Sequence, residues 1–169
     1  GRGAPELMPR CRLLVEYGGR PYRGFQAQAD VPSVQASLER AVAAFSGETL
    51  RLQAAGRTDT GVHATGQVVH VDLAKAWRPE VVRDAINAHL VPEPITVIAA
   101  EEAADGWHAR FSATGRRYFY RILTRQGDGA PGGARDYLDG DGLLTGGFAV
   151  VAWPAKYGNS GVMSFITNH

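Results

Sequence analysis

Two side chains of opposite charge stand two positions apart in the segment 54–73, which reads AAGRTDTGVHATGQVVHVDL. Gly56 and Gly61 lie on either side of Arg57 and Asp59, and both glycines permit positive φ, which lets the backbone bulge outward and present the carboxylate to solvent. An exposed carboxylate can act as a nucleophile or stabilise a developing cation. The same residues also fit an Asx-type turn in which Arg57 pairs with Asp59, and by themselves they name no reaction.

The loop that bears these two residues is predicted to join two strands of a βαββαβ fold. Ser33 is the expected N-cap of a first amphipathic helix that ends at Gly47, and Pro79 suits the first turn of a second helix, PEVVRDAINAHL. Alternation of apolar and polar residues predicts strands over 12–17, 48–55, 66–73 and 95–100.

This order predicts an α+β fold of the ferredoxin-like or RRM-like type, an antiparallel sheet with both helices on one face. The other face is expected to be free for a ligand, as in many RNA-binding modules. A further strand is predicted over 116–123, and a strand-rich, glycine-rich tail follows it. Fold alone does not identify the chemistry.

Composition limits the classes of protein. The chain has 169 residues, 44% of them hydrophobic, so it can bury a core. A single cysteine, Cys11, excludes an internal disulfide, and no apolar run approaches the ~20 residues of a membrane span. We therefore expect a cytoplasmic protein without a membrane partner, preceded by a flexible leader over 1–11 that lacks the apolar segment of a secretory signal.

Charge and histidine spacing give weaker signals. The net charge is +3 over residues 1–125 and −2 over 126–169, which is compatible with nucleic-acid binding and equally with an ordinary solvated surface. No metal site is predicted, because no two histidines within the first 125 residues have metal-site spacing. Solvated or turn-forming roles are expected for His63, His70, His89 and His108.

The segment AAGRTDTGVHATGQVVHVD resembles the active-site motif of the tRNA pseudouridine synthase A family. EYGGRPYRGFQAQ, SVQASLERA and HARFSATGRRYFYRI match the same family in the right order, so that the resemblance covers about residues 12–122. It implies that Asp59 is the catalytic residue, that Arg57 helps displace the target base and that Tyr118 packs on the flipped uracil. Without the resemblance, Tyr118 would be interpreted as a core or sheet aromatic.

The resemblance further implies a homodimer that acts on tRNA, not DNA, at uridines 38–40 of the anticodon stem-loop. Converting uridine to pseudouridine breaks a C–N bond and rejoins the base through carbon, so no cofactor is expected. The nucleotide must first leave its stack, at a cost of a few kcal/mol. The resemblance places two loops beside the RNA, and phosphate contacts are expected from their arginines, namely Arg23, Arg116 and Arg117, together with Arg20 and Arg110. A dispersed solvated face explains these arginines about equally well.

The resemblance stops near residue 123. We predict a synthase N-terminal domain over 12–113, the start of a truncated second domain over 114–123 and an unrelated tail over 124–169. The tail resembles the glycine-rich end of an uncharacterised bacterial family through APGGARDYL, GGFAVVAWP and YGNSGVMSFI. Because the second domain would complete the active-site cleft, a non-catalytic RNA-binding fragment and an inert fusion product remain alternative hypotheses.

Overall fold

The computed structural model of the chain describes residues 9–117, 119–128, 133–147, 149–153 and 166–168, and only the backbone of 119–122, 149–153 and 166–168. The predicted α+β class and the βαββαβ order are confirmed. The elements are β1 (Arg10–Tyr17), α1 (Val34–Ser46), β2 (Gln53–Ala54), β3 (Ala64–Asp72), α2 (Pro79–Leu90) and β4 (Ile95–Glu102).

The first four strands form one antiparallel sheet in the order β2-β3-β1-β4. β1 is central and pairs with both neighbours, so that Leu13 lies opposite Val69 on one side and Ala100 on the other. This is the strand order of the split βαβ arrangement that the sequence predicts.

Both helices begin and end at the residues that the sequence indicates. The Ser33 hydroxyl accepts a hydrogen bond from the Ala36 amide (3.2 Å), and Gly47 closes α1 in the left-handed conformation with φ 76°. Pro79 occupies the first turn of α2, where its missing N–H costs no helical hydrogen bond.

The main core lies between one face of this sheet and the two helices. Leu13 and Val15 of β1 are completely buried there against Leu38 of α1 and Ile86 of α2. Burial alternates along β1, since Arg12, Leu14 and Glu16 point to the opposite face and are more exposed.

The opposite face is less free than predicted, because the segment 103–112 after β4 covers part of it. Val68 of β3 packs there with Ala109, and His70 is only 2% exposed. The expectation of a solvated or turn-forming His70 is therefore wrong. Its Nδ1 accepts a hydrogen bond from the Ala109 amide (3.1 Å), which satisfies the buried ring.

Strand β2 is much shorter than the predicted 48–55. It comprises only Gln53–Ala54, which pair with His70 and Val69 of β3. The preceding residue leaves the ladder, because the Leu52 amide donates to the Glu39 carboxylate of α1 (3.0 Å). A side chain of the neighbouring helix thus replaces a strand partner.

The remaining described strands form two small sheets. β5 (Phe119–Leu123) pairs with β8 (Ala149–Trp153), β8 pairs with β9 (Ile166–Asn168), and β6 (Arg125–Gln126) pairs with β7 (Arg135–Asp136). The predicted strand over 116–123 is confirmed from Phe119 onward. β5 and β8 come from opposite sides of the predicted domain boundary near 123, and that boundary stays a prediction.

Among the described residues, α1 and α2 have 13 and 12 residues, and both are too short to span a bilayer.

Candidate active site

Buried side chains of β1 and β3 hold the loop between β2 and β3 in place through hydrogen bonds. Gln67 of β3 donates from Nε2 to the carbonyl oxygen of Gly56 (2.8 Å), and the hydroxyls of Tyr17 and Thr58 share a hydrogen bond of 2.8 Å. Tyr17 and Thr58 are 2% and 4% exposed. Because Gly56 and Thr58 are held inward, Arg57 between them is exposed.

The environment of Tyr17 keeps its hydroxyl protonated. Burial raises the pKa of Tyr17 well above its ordinary value, although its hydrogen bond with Thr58 opposes that shift. The Tyr17 hydroxyl therefore acts as a structural hydrogen-bonding group for the loop over the whole working range of pH.

Asp59 lies in the tight turn that follows. The Val62 amide donates to the carbonyl oxygen of Asp59 (3.2 Å), and Gly61 has φ 79°, as the sequence predicts. The Asp59 side chain is exposed. Gly56, at which the sequence also permits positive φ, is not among the positive-φ residues of the described chain. Its carbonyl is instead held by Gln67, which leaves no need for left-handed backbone there.

A second glycine-rich loop, residues 18–25 after β1, packs directly on this turn. The Phe25 amide donates to the carbonyl oxygen of Thr58 (2.9 Å). Gly24 has φ 98°, and a Cβ added to Gly19 would lie only 1.8 Å from the carbonyl oxygen of Val62. The requirement for glycine thus falls on the facing loop, where backbone meets backbone.

The residues Tyr22 and Phe25 of the same loop are buried at 4% and 2% exposure. The Phe25 ring lies 6.2 Å from that of Tyr17, and the Tyr22 hydroxyl donates to Glu93. Both aromatics therefore belong to the main core. They shape the loop from inside and have little surface to offer a ligand.

A pocket of about 260 Å³ opens beside the turn, at the β2 edge of the sheet. Four arginines line it: Arg51, Arg57, Arg110 and Arg116. The other lining residues are Phe25, Gln26, Gln35, Leu52, Gln53, Ala54, Ala55 and Gly56. None of these described lining residues is acidic, so the pocket suits an anion such as a phosphodiester.

Two of these arginines, Arg116 and Arg51, form polar contacts with neighbouring groups. Arg116 donates from Nη2 to the carbonyl oxygen of Ala55 (3.1 Å), which joins the segment after β4 to the end of β2. Arg51 lies 3.6 Å from a carboxylate oxygen of Glu39, an ion pair with 63% of the arginine side chain exposed. Both guanidinium groups therefore retain donors for a ligand.

The predicted site residues divide into three groups. Arg57 and Arg116 line the pocket together, with Arg110 from the wider arginine set. Asp59, Arg23 and Arg117 are exposed but do not line it, and no ion pair joins Arg57 to Asp59 among the residues that the structure describes. Tyr118 lies outside the described residues.

Three residues that support the site were not predicted from the sequence. Arg51 could have been predicted, since it alternates with Leu50 and Leu52 in a segment that leads into the loop. No sequence pattern indicates Tyr17 or Gln67, because their partners lie 41 and 11 positions away and only the folded sheet brings them together.

Comparison with known families gives two matches on this chain. The family model described as "tRNA pseudouridine synthase" matches residues 13–112. The family model described as "Protein of unknown function (DUF2950)" matches residues 91–169. The two matches overlap over 91–112, which includes β4 and the arginine-bearing segment after it.

Curated relatives match the same part of the chain. A protein named tRNA pseudouridine synthase A from Caulobacter vibrioides is 66% identical over 119 residues, 70% of this chain and 48% of that protein. A protein of that name from Methylorubrum extorquens is 57% identical over 123 residues, 73% of this chain and 49% of that protein. The chain thus spans about half the length of the curated relatives it matches.

Proposed function

The chain belongs to the tRNA pseudouridine synthase family, and on that premise we propose that it isomerises uridine to pseudouridine in the anticodon stem-loop of tRNA, at positions 38–40. One observation supports this most strongly. An exposed carboxylate, Asp59, lies in a turn fixed by buried side chains, next to a pocket lined by four arginines and no described acidic residue.

Asp59 is the proposed catalytic residue. The reaction breaks the bond between the sugar C1′ and N1 of uracil, rotates the base and forms a bond from C1′ to C5. C5 loses a proton and N1 gains one, so the product has the composition of the substrate and no cofactor is required. A carboxylate can serve by attacking the base or the sugar, by removing a sugar proton, or by stabilising the cationic sugar.

The arginine-lined pocket is the proposed site for the RNA backbone. Arg51, Arg57, Arg110 and Arg116 can each donate hydrogen bonds to phosphate oxygens, and release of counterions from the RNA favours such contacts. Arg57 adjoins the catalytic turn, which supports a role in displacing the target base. Arg23 and Arg117 are proposed as further phosphate contacts, and Tyr118 as the stacking partner of the flipped uracil.

Incubation with unmodified tRNA, followed by mapping of pseudouridine, tests this proposal. We expect pseudouridine at positions 38–40 with the unaltered chain and none with Asp59→Ala. Asp84→Asn is the matched control, because Asp84 is an exposed carboxylate on α2, outside the catalytic turn and the pocket lining. Undiminished turnover by Asp59→Ala would refute the role of Asp59.

A second candidate function is RNA binding without catalysis. The matched region corresponds to about half the length of these curated relatives, and the pocket lined by four arginines supports RNA binding by itself. This alternative predicts salt-sensitive tRNA binding through the arginine pocket without isomerisation. Measuring binding and turnover on the same sample separates the two functions.

We also propose a cytoplasmic setting and self-association as a homodimer, as the family resemblance implies. The single cysteine supports a reducing compartment, because the chain forms no internal disulfide. Sedimentation equilibrium tests the homodimer directly, and a monomer at every protein concentration used for tRNA binding would contradict it.

A further inference from the structure

Phe111 is the most exposed large hydrophobic side chain in the described part of the chain, at 77% exposure. Aromatic rings of this size normally bury most of their surface, and fully solvating one forgoes a large hydrophobic contribution to stability. The ring lies in the segment after β4, one residue beyond Arg110 of the basic pocket.

The exposed ring is stacked on a second ring. The centroids of Phe111 and His108 are 4.4 Å apart with an interplanar angle of 29°, and the Arg110 guanidinium lies 5.8 Å from the Phe111 centroid. The backbone amides of Arg110 and Phe111 both point to Nδ1 of His108, at 3.1 Å and 3.4 Å. One side of the Phe111 ring is therefore supported within a closed turn.

Hydrogen bonds close the turn over residues 108–112 and connect its segment to the sheet. The amide of Ser112 donates to the carbonyl oxygen of His108 (2.8 Å), while the Ser112 hydroxyl accepts from the His108 amide (2.9 Å). Below it, the Ala109 amide donates to His70, and the carbonyl oxygen of Trp107 accepts from Arg10 (2.7 Å). Phe111 is thus presented by a preorganised turn, which lowers the entropy lost when a ligand binds.

The charge around the ring selects the kind of ligand. Arg110 lines the pocket that also contains Arg51, Arg57 and Arg116. A lipid or an apolar protein surface would leave these cations unpaired, whereas a nucleotide chain offers both a phosphate and a flat base. Arginines interleaved with an exposed aromatic ring are the combination that binds single-stranded nucleic acid.

We propose that Phe111 is a stacking platform for an unpaired nucleobase of the tRNA whose backbone lies in the arginine pocket. We propose that this base is distinct from the target uridine, because Tyr118 is already the proposed stacking partner of the flipped uracil. The inference rests on the proposed function in that RNA is the partner. It requires no turnover.

A single-stranded RNA of twelve adenosines and cytidines with one 2-aminopurine separates this inference from the catalytic proposal. Such an RNA contains no uridine, so its binding reports the platform whether or not the chain isomerises tRNA. We expect Phe111→Ala to weaken its affinity about tenfold, within the range known for loss of one base–aromatic stack. We expect the Phe111→Trp variant to retain the RNA affinity and to quench the fluorescence of 2-aminopurine. The Phe111→Leu variant should have the same weakened RNA affinity as Phe111→Ala.

Two control variants show which property of the ring is measured. Leu143→Ala removes an apolar side chain that is 61% exposed outside this region, and it should leave RNA affinity unchanged. Phe111→Ala removes no charge, so the slope of log affinity against log salt stays constant, whereas Arg110→Gln lowers that slope by about 0.7.

Two results would overturn the inference. The first is no measurable binding of the RNA by the unaltered chain, and the second is equal affinity of the chain and its Phe111→Ala variant. If that variant with unchanged RNA affinity also loses self-association in sedimentation, the ring belongs to a contact between copies. Absence of pseudouridine in tRNA with the expected Phe111 effects would refute only the catalytic proposal.

Discussion

Removal of the Tyr17 hydroxyl is expected to destabilise the chain and loosen the catalytic turn. In Tyr17→Phe the buried Thr58 hydroxyl loses its 2.8 Å partner, and no bulk water reaches a side chain that is 4% exposed. Leaving one buried polar group unsatisfied costs about 1–3 kcal/mol. With a urea m-value of about 2 kcal/mol/M, a loss of 2 kcal/mol lowers the midpoint by about 1 M.

A double-mutant cycle isolates the hydrogen bond itself. Thr58→Val keeps the shape of the side chain, so Tyr17→Phe combined with Thr58→Val removes both partners and leaves neither unsatisfied. We expect the double variant to lose about 1 kcal/mol less than the two single losses added together. Urea unfolding followed by far-UV circular dichroism at pH 7 measures all four free energies of unfolding.

Amide hydrogen exchange and a control pair complete the test. The Phe25 amide, which donates to Thr58, should exchange faster in Tyr17→Phe relative to amides of α2. Tyr17→Phe paired with Asp84→Asn, a change at an exposed residue of α2 whose ion-pair partner is Arg83, should be additive within about 0.5 kcal/mol. Additivity in the Tyr17–Thr58 pair as well would refute the reasoning, because the two hydroxyls would then contribute independently.

Three further predictions concern the core, the packed loops and the pocket. Burial, assisted by the charge of Arg10, lowers the pKa of His70 from 6.5 to about 4, so the unfolded chain takes up this proton at a higher pH than the folded chain does. About 3 kcal/mol of the free energy of unfolding is therefore lost as pH falls from 6.5 to 4. Urea unfolding of the His70→Asn variant over this pH range should not show that loss. Gly19→Ala should abolish cooperative thermal unfolding because its Cβ meets backbone, whereas Gly115→Ala, with open space around it, should change Tm little. Arg116→Gln should lower the salt slope of tRNA affinity by about 0.7, as measured by filter binding at several salt concentrations.

Sequence reasoning succeeds where the signal is local. Ser33 and Gly47 mark the two ends of α1, because an N-cap hydroxyl and a left-handed glycine act within one turn of the helix. The alternation over 12–17 similarly predicts the inward face of β1, since side chains of a strand alternate whatever its partners are.

The same reasoning fails where distant residues compete for a group. Glu39 takes the Leu52 amide and shortens β2, and Ala109 takes His70 Nδ1 and buries a histidine expected in solvent. At the candidate site, the glycines on both sides of Asp59 permit two left-handed positions, but of these two only Gly61 adopts one. Hydrogen bonds across the fold, not the adjacent residues, decide these cases.

Strand β3 is buried on both faces, and this has a consequence for altering the protein. Val69 and Val71 hold the helices, whereas His70 on the reverse side holds the segment that ends in Arg110 and Phe111. The outer end of that segment can therefore be diversified in a library while its inner attachment is kept constant. Substitutions at the rim would retune ligand preference, and substitutions in β3 would reduce the yield of folded variants without changing what the survivors recognise.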